Sequence, residues 1–180
     1  MGQEDLKILK TVFGFDEYLA DQERIIAEIL SGKDVLTIMP TGGGKSLCYQ
    51  LPALMFKGMT VVVSPLIALM QSQVAHLQLL GIKAASLNSS NTYQENRKTL
   101  DMLGTNELKM LYAAPERLVK QETIDLLKNK NVSLLAIDEV HCVSKWGHNF
   151  RKEYLELGHL RKELSMVQTI GLTATADRTT

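Results

Sequence analysis

Short apolar runs rich in valine, isoleucine and leucine recur along the chain, with little polar alternation inside them. Runs of this kind are typical of strands that are buried on both faces of a parallel sheet. The pattern predicts six strands, over residues 34–39, 60–64, 83–87, 109–113, 132–138 and 167–172.

Longer amphipathic segments separate several of these runs and predict helices. Residues 22–31 and 66–80 carry apolar positions at helical spacing, and each segment ends at a glycine. Residues 115–128 begin with Pro115, a favoured first helical position. The alternation of strands and helices predicts an α/β fold, a doubly wound and mostly parallel sheet with helices on both faces. Ligands bind such sheets beyond the carboxyl ends of the strands.

Composition indicates an ordinary globular domain. Hydrophobic residues make up 45% and charged residues 22% of the 180 residues, and a chain of this length forms a core without disulfides. No apolar run approaches the roughly 18 residues that a membrane helix requires, and the polar start is unlike a secretory signal. Cys48 and Cys142 provide neither a disulfide scaffold nor metal-ligand spacing. We therefore expect a reducing compartment and no membrane partner.

A glycine-rich loop, Pro40 to Ser46, follows the first predicted strand and precedes an apolar helical segment. This is the context of a phosphate-binding loop, in which backbone N–H groups and the helix N-terminus face phosphate oxygens. Lys45 is expected to reach the β- and γ-phosphates, and Ser46 to bind Mg²⁺. Met39 replaces the first glycine of the general pattern. The predicted nucleotide-binding residues of the loop are Thr41, Gly42, Gly43, Gly44, Lys45 and Ser46.

Two acidic residues, Asp138 and Glu139, end the fifth predicted strand. Asp138 is expected to hold the Mg²⁺ of a bound nucleotide, and Glu139 to orient and deprotonate the attacking water. An isolated acidic pair after a strand is more often a solvated turn, but the upstream Lys-Ser loop and His141 favour a catalytic interpretation. We predict ATP and Mg²⁺ as cofactors, with Glu139, Lys45 and Asp138 as catalytic residues.

Charge is balanced over the chain, with 20 basic and 20 acidic residues, so no whole-domain field favours nucleic acid. Residues 141–162 nevertheless carry a net charge of +3, three of the four histidines and the single tryptophan, Trp146. Aromatic faces stack on bases and cations hold phosphates, so this segment is a candidate for contact with single-stranded DNA. The alternative for Trp146 is a core aromatic near a sheet edge.

The chain resembles the first RecA-like lobe of a superfamily 2 helicase, and within that group a RecQ-type DNA helicase. The resemblance implies a P-loop NTPase lobe over residues 1–180. It also implies ATP-dependent 3′-to-5′ unwinding that couples hydrolysis to translocation on single-stranded DNA, in DNA repair and recombination. The segments that carry it are residues 13–22, 39–50, 61–74, 113–118, 138–154 and 171–176.

The resemblance also assigns roles to individual residues. Phe15 would stack on the adenine ring and Gln22 would bind its edge. Asp138-Glu-Val-His141 is similar to the Asp-Glu-Ala-His box of the family, with Val140 in place of alanine. The residues implied in DNA contact or in coupling it to hydrolysis are Ser64, Trp146, His148, Phe150, Arg151, Thr173 and Thr175.

The chain departs from the family pattern at several positions. Leu19 stands where the family has an arginine against the adenine, which removes the cationic half of the clamp. Residues 141–154 resemble the aromatic-rich loop of the family, and Asn149 and Lys152 make this loop more positive than is usual, which should strengthen phosphate attraction.

The family pattern also sets expectations for the whole protein. A second RecA-like lobe, a zinc module and a winged helix are expected outside this chain, so the chain alone should be inactive or nearly inactive in unwinding. Single-stranded and duplex DNA and the second lobe are the expected partners. The expected location is cytoplasmic or nucleoid-associated in a bacterium and nuclear in a eukaryote.

Two other functions fit part of the sequence. A small-molecule P-loop kinase would share the phosphate loop, but no arginine-rich lid is visible and the acidic box argues against it. A degenerate lobe that binds DNA or a protein without turnover would explain Leu19. The presence of Lys45, Ser46, Asp138 and Glu139 argues against a loss of catalysis.

Overall fold

The computed structural model describes residues 3–19, 21–140, 148–164 and 167–174, and for residues 148–155 it describes the backbone alone. The helices are α1 (Gln3–Thr11), α2 (Gln22–Leu30), α3 (Leu47–Met55), α4 (Ile67–Leu79), α5 (Tyr93–Gly104), α6 (Pro115–Leu118), α7 (Gln121–Lys128) and α8 (His148–Glu163). The strands are β1 (Val35–Ile38), β2 (Met59–Val63), β3 (Ala84–Leu87), β4 (Met110–Ala113), β5 (Val132–Ile137) and β6 (Thr169–Thr173).

The six strands form one sheet in the order β1-β6-β5-β2-β4-β3, and every neighbouring pair is parallel. The α/β fold and the six strands predicted from the apolar runs are confirmed, with ends that differ by two residues or fewer. The register places Ile38 beside Thr173 and Val63 beside Ile137. The carboxyl ends of β1, β6, β5 and β2 therefore lie side by side.

Helices cover both faces of the sheet. On one face the core contains buried side chains of α2, α3 and α4, among them Ile29, Tyr49 and Leu77. On the other face, side chains of α5, α6, α7 and α8 pack against β2, β4 and β5. Because each central strand is covered twice, its side chains are apolar on both faces, which is the reason why the runs show no alternation.

Glycine ends two of the predicted helices. Gly32 and Gly81 adopt positive φ values of 86° and 75° after α2 and α4. The N–H of Ile82 then donates to the Leu77 carbonyl at 2.9 Å, which satisfies a carbonyl at the end of α4. These two helices match their predicted ranges closely.

Four helical segments differ from the prediction, and the first of them, α1, was not predicted. The predicted helix 115–128 is two helices, because Lys120 adopts an extended conformation (φ −72°, ψ 133°) before α7. Helix α5 was not predicted, although Thr92 and Glu95 form a capping box at its start, a signal that the sequence contains. Helix α8 begins at His148, so the second half of the segment 141–154, which we expected to be a loop, is helical.

Among the helices that the structure describes, none is both long and apolar enough to cross a bilayer.

Replacement of Leu135 by alanine tests the role of the sheet core. Leu135 lies in β5, the strand that leads to the acidic pair, and only 1% of its surface is exposed. We expect Leu135→Ala to lower the free energy of unfolding by about 2–5 kcal/mol, because it leaves a cavity in a packed layer. Urea unfolding of the chain measures this change.

Leu79→Ala is the control, since Leu79 is 87% exposed and its loss should change stability by less than about 0.5 kcal/mol. Equal effects of the two substitutions would contradict the assigned core.

Candidate functional site

Three strand ends meet where the predicted catalytic residues lie. The N–H of Met39, at the start of the phosphate loop, donates to the Thr173 carbonyl at the end of β6 at 2.9 Å. The N–H of Val140, just after the acidic pair, donates to the Leu172 carbonyl at 2.9 Å. Strand β6 thus joins the phosphate loop to the acidic turn by backbone hydrogen bonds on its two sides.

The phosphate loop has a conformation that depends on its glycines. Gly42 and Gly44 have φ values of 82° and 72°, which residues other than glycine rarely adopt. A Cβ atom on Gly43 would lie 3.0 Å from the Pro40 carbonyl oxygen, to which the Gly43 N–H donates. Helix α3 follows directly, and its first N–H group, on Leu47, donates to the Gly44 carbonyl at 3.1 Å. The loop and helix match the predicted phosphate-binding context.

Gln22 packs behind this loop and is 2% exposed. Its Nε2 donates to the Gly44 carbonyl at 3.0 Å, and its Oε1 accepts from the Leu19 N–H at 2.8 Å. The side-chain amide therefore links the start of α2 to the phosphate loop. The role predicted for Gln22, binding the adenine edge, stays a prediction, and it requires the same amide that contacts the loop.

Lys45 and Glu139 form an ion pair across the site, with Lys45 Nζ 3.7 Å from Glu139 Oε1. Both side chains are mostly buried, at 15% and 16% exposure. Glu139 has a φ of 52°, and its N–H donates to Asp138 Oδ1 at 2.9 Å. A non-glycine residue in this left-handed region costs about 1–3 kcal/mol and is typical of functional sites. The turn directs the Glu139 carboxylate towards the phosphate loop.

An apolar cleft of about 420 Å³ adjoins the phosphate loop. Phe15, Leu19 and Gln22 line it together with Gly44 and Ser46. Phe15 and Leu19 are 54% and 56% exposed, so their apolar surfaces are accessible to a flat ring. The volume is within the range of small-molecule sites. The structure therefore brings the residues predicted for the adenine to the same cleft as the loop predicted for the phosphates.

The oxygen atoms near the loop are of the type that Mg²⁺ prefers. Ser46 precedes α3 without using its hydroxyl to cap the helix. Asp138 is 8% exposed, at the end of β5. Within the described ranges, no group of three or more His, Cys, Asp or Glu side chains forms a metal site. A hydroxyl and a carboxylate fit Mg²⁺, which is usually held by one or two protein ligands plus substrate phosphates.

The residues predicted to contact DNA are placed less directly. Ser64 and Thr173 lie at the carboxyl ends of β2 and β6, but they are only 2% and 1% exposed. The Ser64 hydroxyl accepts from the Leu66 N–H at 3.4 Å and so stabilises the turn after β2. Trp146 and Thr175 lie outside the described residues, as do the side chains predicted at the start of α8, which are His148, Phe150 and Arg151. Their roles stay predictions.

A buried polar cluster under the loop was missed by the sequence interpretation. The amide of Gln50 in α3 donates to Gln73 Oε1 at 2.7 Å and to the Tyr112 hydroxyl at 3.0 Å. The Tyr112 hydroxyl donates in turn to the Tyr49 hydroxyl at 3.4 Å. The available signal was a glutamine inside the otherwise apolar run from Leu47 to Phe56.

A larger cavity, of about 740 Å³, lies at the opposite edge of the sheet and is lined by four lysines. Lys109 donates to the Phe56 and Gly58 carbonyls, and Lys130 donates to the Gly104 carbonyl. Burial lowers the pKa of Lys109. These two lysines donate hydrogen bonds to carbonyls at the ends of α3 and α5. Their position beside the cavity is therefore explained by the stabilisation of helix ends.

Comparison with protein families gives a match to the DEAD/DEAH box helicase family over residues 19–180. The chain is 46% identical over 175 residues to the ATP-dependent DNA helicase RecQ of Haemophilus influenzae, with 97% of this chain and 28% of the relative covered. It is 49% identical over 176 residues to the ATP-dependent DNA helicase Q5 of Rattus norvegicus, with 93% of this chain and 18% of the relative covered. The chain thus spans less than a third of each of these relatives.

Among solved structures, the chain is similar to the DUF1998 helicase MrfA bound to DNA and AMPPNP, with a TM-score of 0.78. The sequence identity is 22%, and the match covers 99% of this chain and 27% of the other. This likeness confirms the RecA-like fold.

Because the phosphate loop contacts Gln22 closely, we predict that a side chain at Gly44 would strongly lower the free energy of unfolding. A Cβ atom there would lie 2.2 Å from Gln22 Nε2, in addition to the positive φ. We expect Gly44→Ala to lower the free energy of unfolding by about 2–6 kcal/mol, from backbone strain of about 1–3 kcal/mol and a disrupted buried hydrogen bond of about 1–3 kcal/mol. Denaturant unfolding measures the change.

Gly14→Ala is the matched control for this prediction. Gly14 has a φ of 75°, close to that of Gly44, but a Cβ atom there would meet nothing within 4 Å. It should show the cost of backbone strain alone. If Gly14→Ala were as destabilising as Gly44→Ala, the contact with Gln22 would contribute nothing.

Proposed function

Because the chain belongs to the DEAD/DEAH box helicase family, we propose that it is the ATP-binding lobe of an ATP-dependent 3′-to-5′ DNA helicase of the RecQ type. The observation that carries the proposal is the meeting of Lys45 and Glu139 at 3.7 Å, beside Asp138 and the phosphate loop. These are the groups that hydrolysis of a nucleoside triphosphate requires, arranged on one edge of a parallel sheet.

In the proposed reaction the phosphate loop and Lys45 bind the β- and γ-phosphates of ATP, whose base lies in the cleft beside Phe15. Because Lys45 Nζ lies 3.7 Å from Glu139 Oε1, the phosphates and the Glu139 carboxylate would share one cation. Glu139 accepts a proton from the attacking water as the bond to the γ-phosphorus forms and the bond to ADP breaks. Ser46 and Asp138 would hold Mg²⁺, which supplies charge neutralisation at the phosphates.

Unwinding is proposed at the level of the whole protein. The turns after β2, β4 and β6 share the sheet edge with the nucleotide site, so a DNA strand bound along them would lie near it. A second RecA-like lobe would complete the ATP cleft, and its closure and opening would move the protein along single-stranded DNA. Duplex DNA is then the substrate of the complete enzyme. Its proposed location is the nucleoid of a bacterium or the nucleus of a eukaryote.

The Glu139→Gln substitution tests the proposal. We expect a version of the chain extended through a second RecA-like lobe to hydrolyse ATP when single-stranded DNA is added. Glu139→Gln should lower kcat by about 10²- to 10⁴-fold, because the amide cannot accept the proton. Steady-state ATPase assays with and without DNA measure the effect.

Glu122→Gln is the control, since Glu122 is 61% exposed on α7 and pairs only loosely with Arg97 at 3.5 Å. It should leave the rate unchanged. The 180-residue chain alone should hydrolyse little ATP. An extended protein that is inert, or that hydrolyses ATP equally fast without DNA, would contradict the proposed function.

A further inference from the structure

The buried polar cluster lies at a junction of three elements that the proposed mechanism uses. Gln50 is in the first turn of α3, and its N–H donates to the carbonyl of Ser46 in the phosphate loop at 2.9 Å. Gln73 belongs to α4, the helix that follows the turn at Ser64. Tyr112 belongs to β4, whose end leads into residues 113–118. The segments after β2 and β4 are therefore each one side-chain contact away from the helix of the phosphate loop.

A single nitrogen atom joins these elements. Gln50 Nε2 uses one N–H for Gln73 Oε1 at 2.7 Å and the other for the Tyr112 hydroxyl at 3.0 Å. Gln50 is 4% exposed and Tyr112 is 1% exposed. An amide with two short hydrogen bonds fixes the separation of its partners more closely than apolar packing does. A shift of α4 or of β4 must therefore move Gln50 or break one of its bonds.

The hydroxyl groups of the cluster keep their protons over the physiological pH range. Burial raises the pKa of Tyr112 to about 12, and burial also raises the pKa of Tyr49 far above its ordinary value. The negative charge of Asp138 acts in the same direction on both tyrosines. Tyr112 therefore remains able to accept from Gln50 and to donate to Tyr49 over the physiological pH range.

We propose that Gln50, Gln73 and Tyr112 form a positioning unit that transmits movement of α4 and of the end of β4 to the phosphate loop, so that DNA bound at those segments raises the rate of hydrolysis. The inference rests on the proposed function, because it names how the DNA and nucleotide sites communicate. None of the three residues needs to contact the reacting atoms. The unit acts by holding Ser46 and the first turn of α3 in register with the segments after β2 and β4, along which DNA is proposed to bind.

The decisive variant is Tyr112→Phe in the version extended through a second lobe. It removes one oxygen atom and keeps the ring, and Tyr112 itself does not line the cleft beside the phosphate loop. We expect the DNA-independent kcat and the KM for ATP to stay within about twofold of the unmodified protein. The ratio of DNA-stimulated to basal kcat should fall by about 3- to 30-fold, the usual range for residues that couple two sites.

A matched pair of substitutions on α4 provides the second test. Gln73→Met removes the acceptor of the Gln50 amide at a residue that also lines the cleft beside the phosphate loop, so the KM for ATP is compared as well. Gln78→Met removes a glutamine of the same helix that donates to the Ala84 carbonyl at 2.8 Å, outside the cluster and the cleft. Gln73→Met should lower the stimulation ratio and Gln78→Met should not. The double variant Gln73→Met/Tyr112→Phe should lower the ratio by less than the product of the single effects, because both act through Gln50.

The outcomes separate the inference from the proposed function. If the unmodified protein and Tyr112→Phe are stimulated equally by DNA, the inference is overturned and the proposed function is unaffected. The same holds if Gln78→Met lowers stimulation as much as Gln73→Met. If Tyr112→Phe changes only the KM for ATP, the cluster shapes the nucleotide cleft and the inference is also overturned. If the unmodified protein shows no stimulation, the proposed function fails first. Urea unfolding of each variant confirms that the comparison is between folded proteins.

Discussion

The backbone of β6 is the constraint on which the site depends. Its last two carbonyls, those of Leu172 and Thr173, accept hydrogen bonds from Val140 on one side and Met39 on the other. The phosphate loop and the acidic turn come from strands that are distant in the sequence, and neither strand bonds to the other. Their spacing is fixed because β6 lies between them in a parallel register, so Lys45 and Glu139 meet although no backbone hydrogen bond joins β1 to β5. Gly171 contributes to this arrangement. A Cβ atom there would lie 3.0 Å from Leu36 and 3.2 Å from Val140.

Most of the fold could be predicted because a doubly covered parallel sheet has a simple sequence pattern. Strands such as β2, whose five residues are all buried, are apolar except for Thr60, and that leaves nearly unbroken runs. Helix α5 was harder to predict, since its sequence is largely polar and its start is marked by the Thr92–Glu95 capping box rather than by apolar spacing. The break at Lys120 had no comparable signal, because an extended backbone at one lysine follows from tertiary packing rather than from local preference.

The site could be predicted as far as local motifs extend. Lys45, Ser46, Asp138 and Glu139 stand in motifs that specify both a residue type and a position after a strand, and the fold brings their two loops to one edge. Contacts between distant segments were not predictable in the same way. The amide of Gln22 binds the Gly44 carbonyl, and the amide of Gln50 binds Tyr112 from a helix 62 positions away in sequence. No periodicity or motif records which buried partner an amide selects, since that choice depends on the packing of the whole sheet.

The two edges of the sheet use polar groups differently, and the difference explains why only one is suited to catalysis. At the amino-terminal edge, the ammonium groups of Lys109 and Lys130 are used by carbonyls at helix ends, so their positive charge stabilises the fold. At the carboxyl edge, the phosphate loop leads directly into α3, and the positive end of the helix dipole attracts an anion there. Lys45 there contacts a carboxylate rather than a backbone carbonyl. Lys45 Nζ lies 3.7 Å from Glu139 Oε1, so a phosphate can compete with this carboxylate for the lysine. A lysine that hydrogen-bonds to carbonyls at a helix end instead stabilises the fold. The parallel direction of all six strands therefore decides where chemistry is possible before any catalytic side chain is placed.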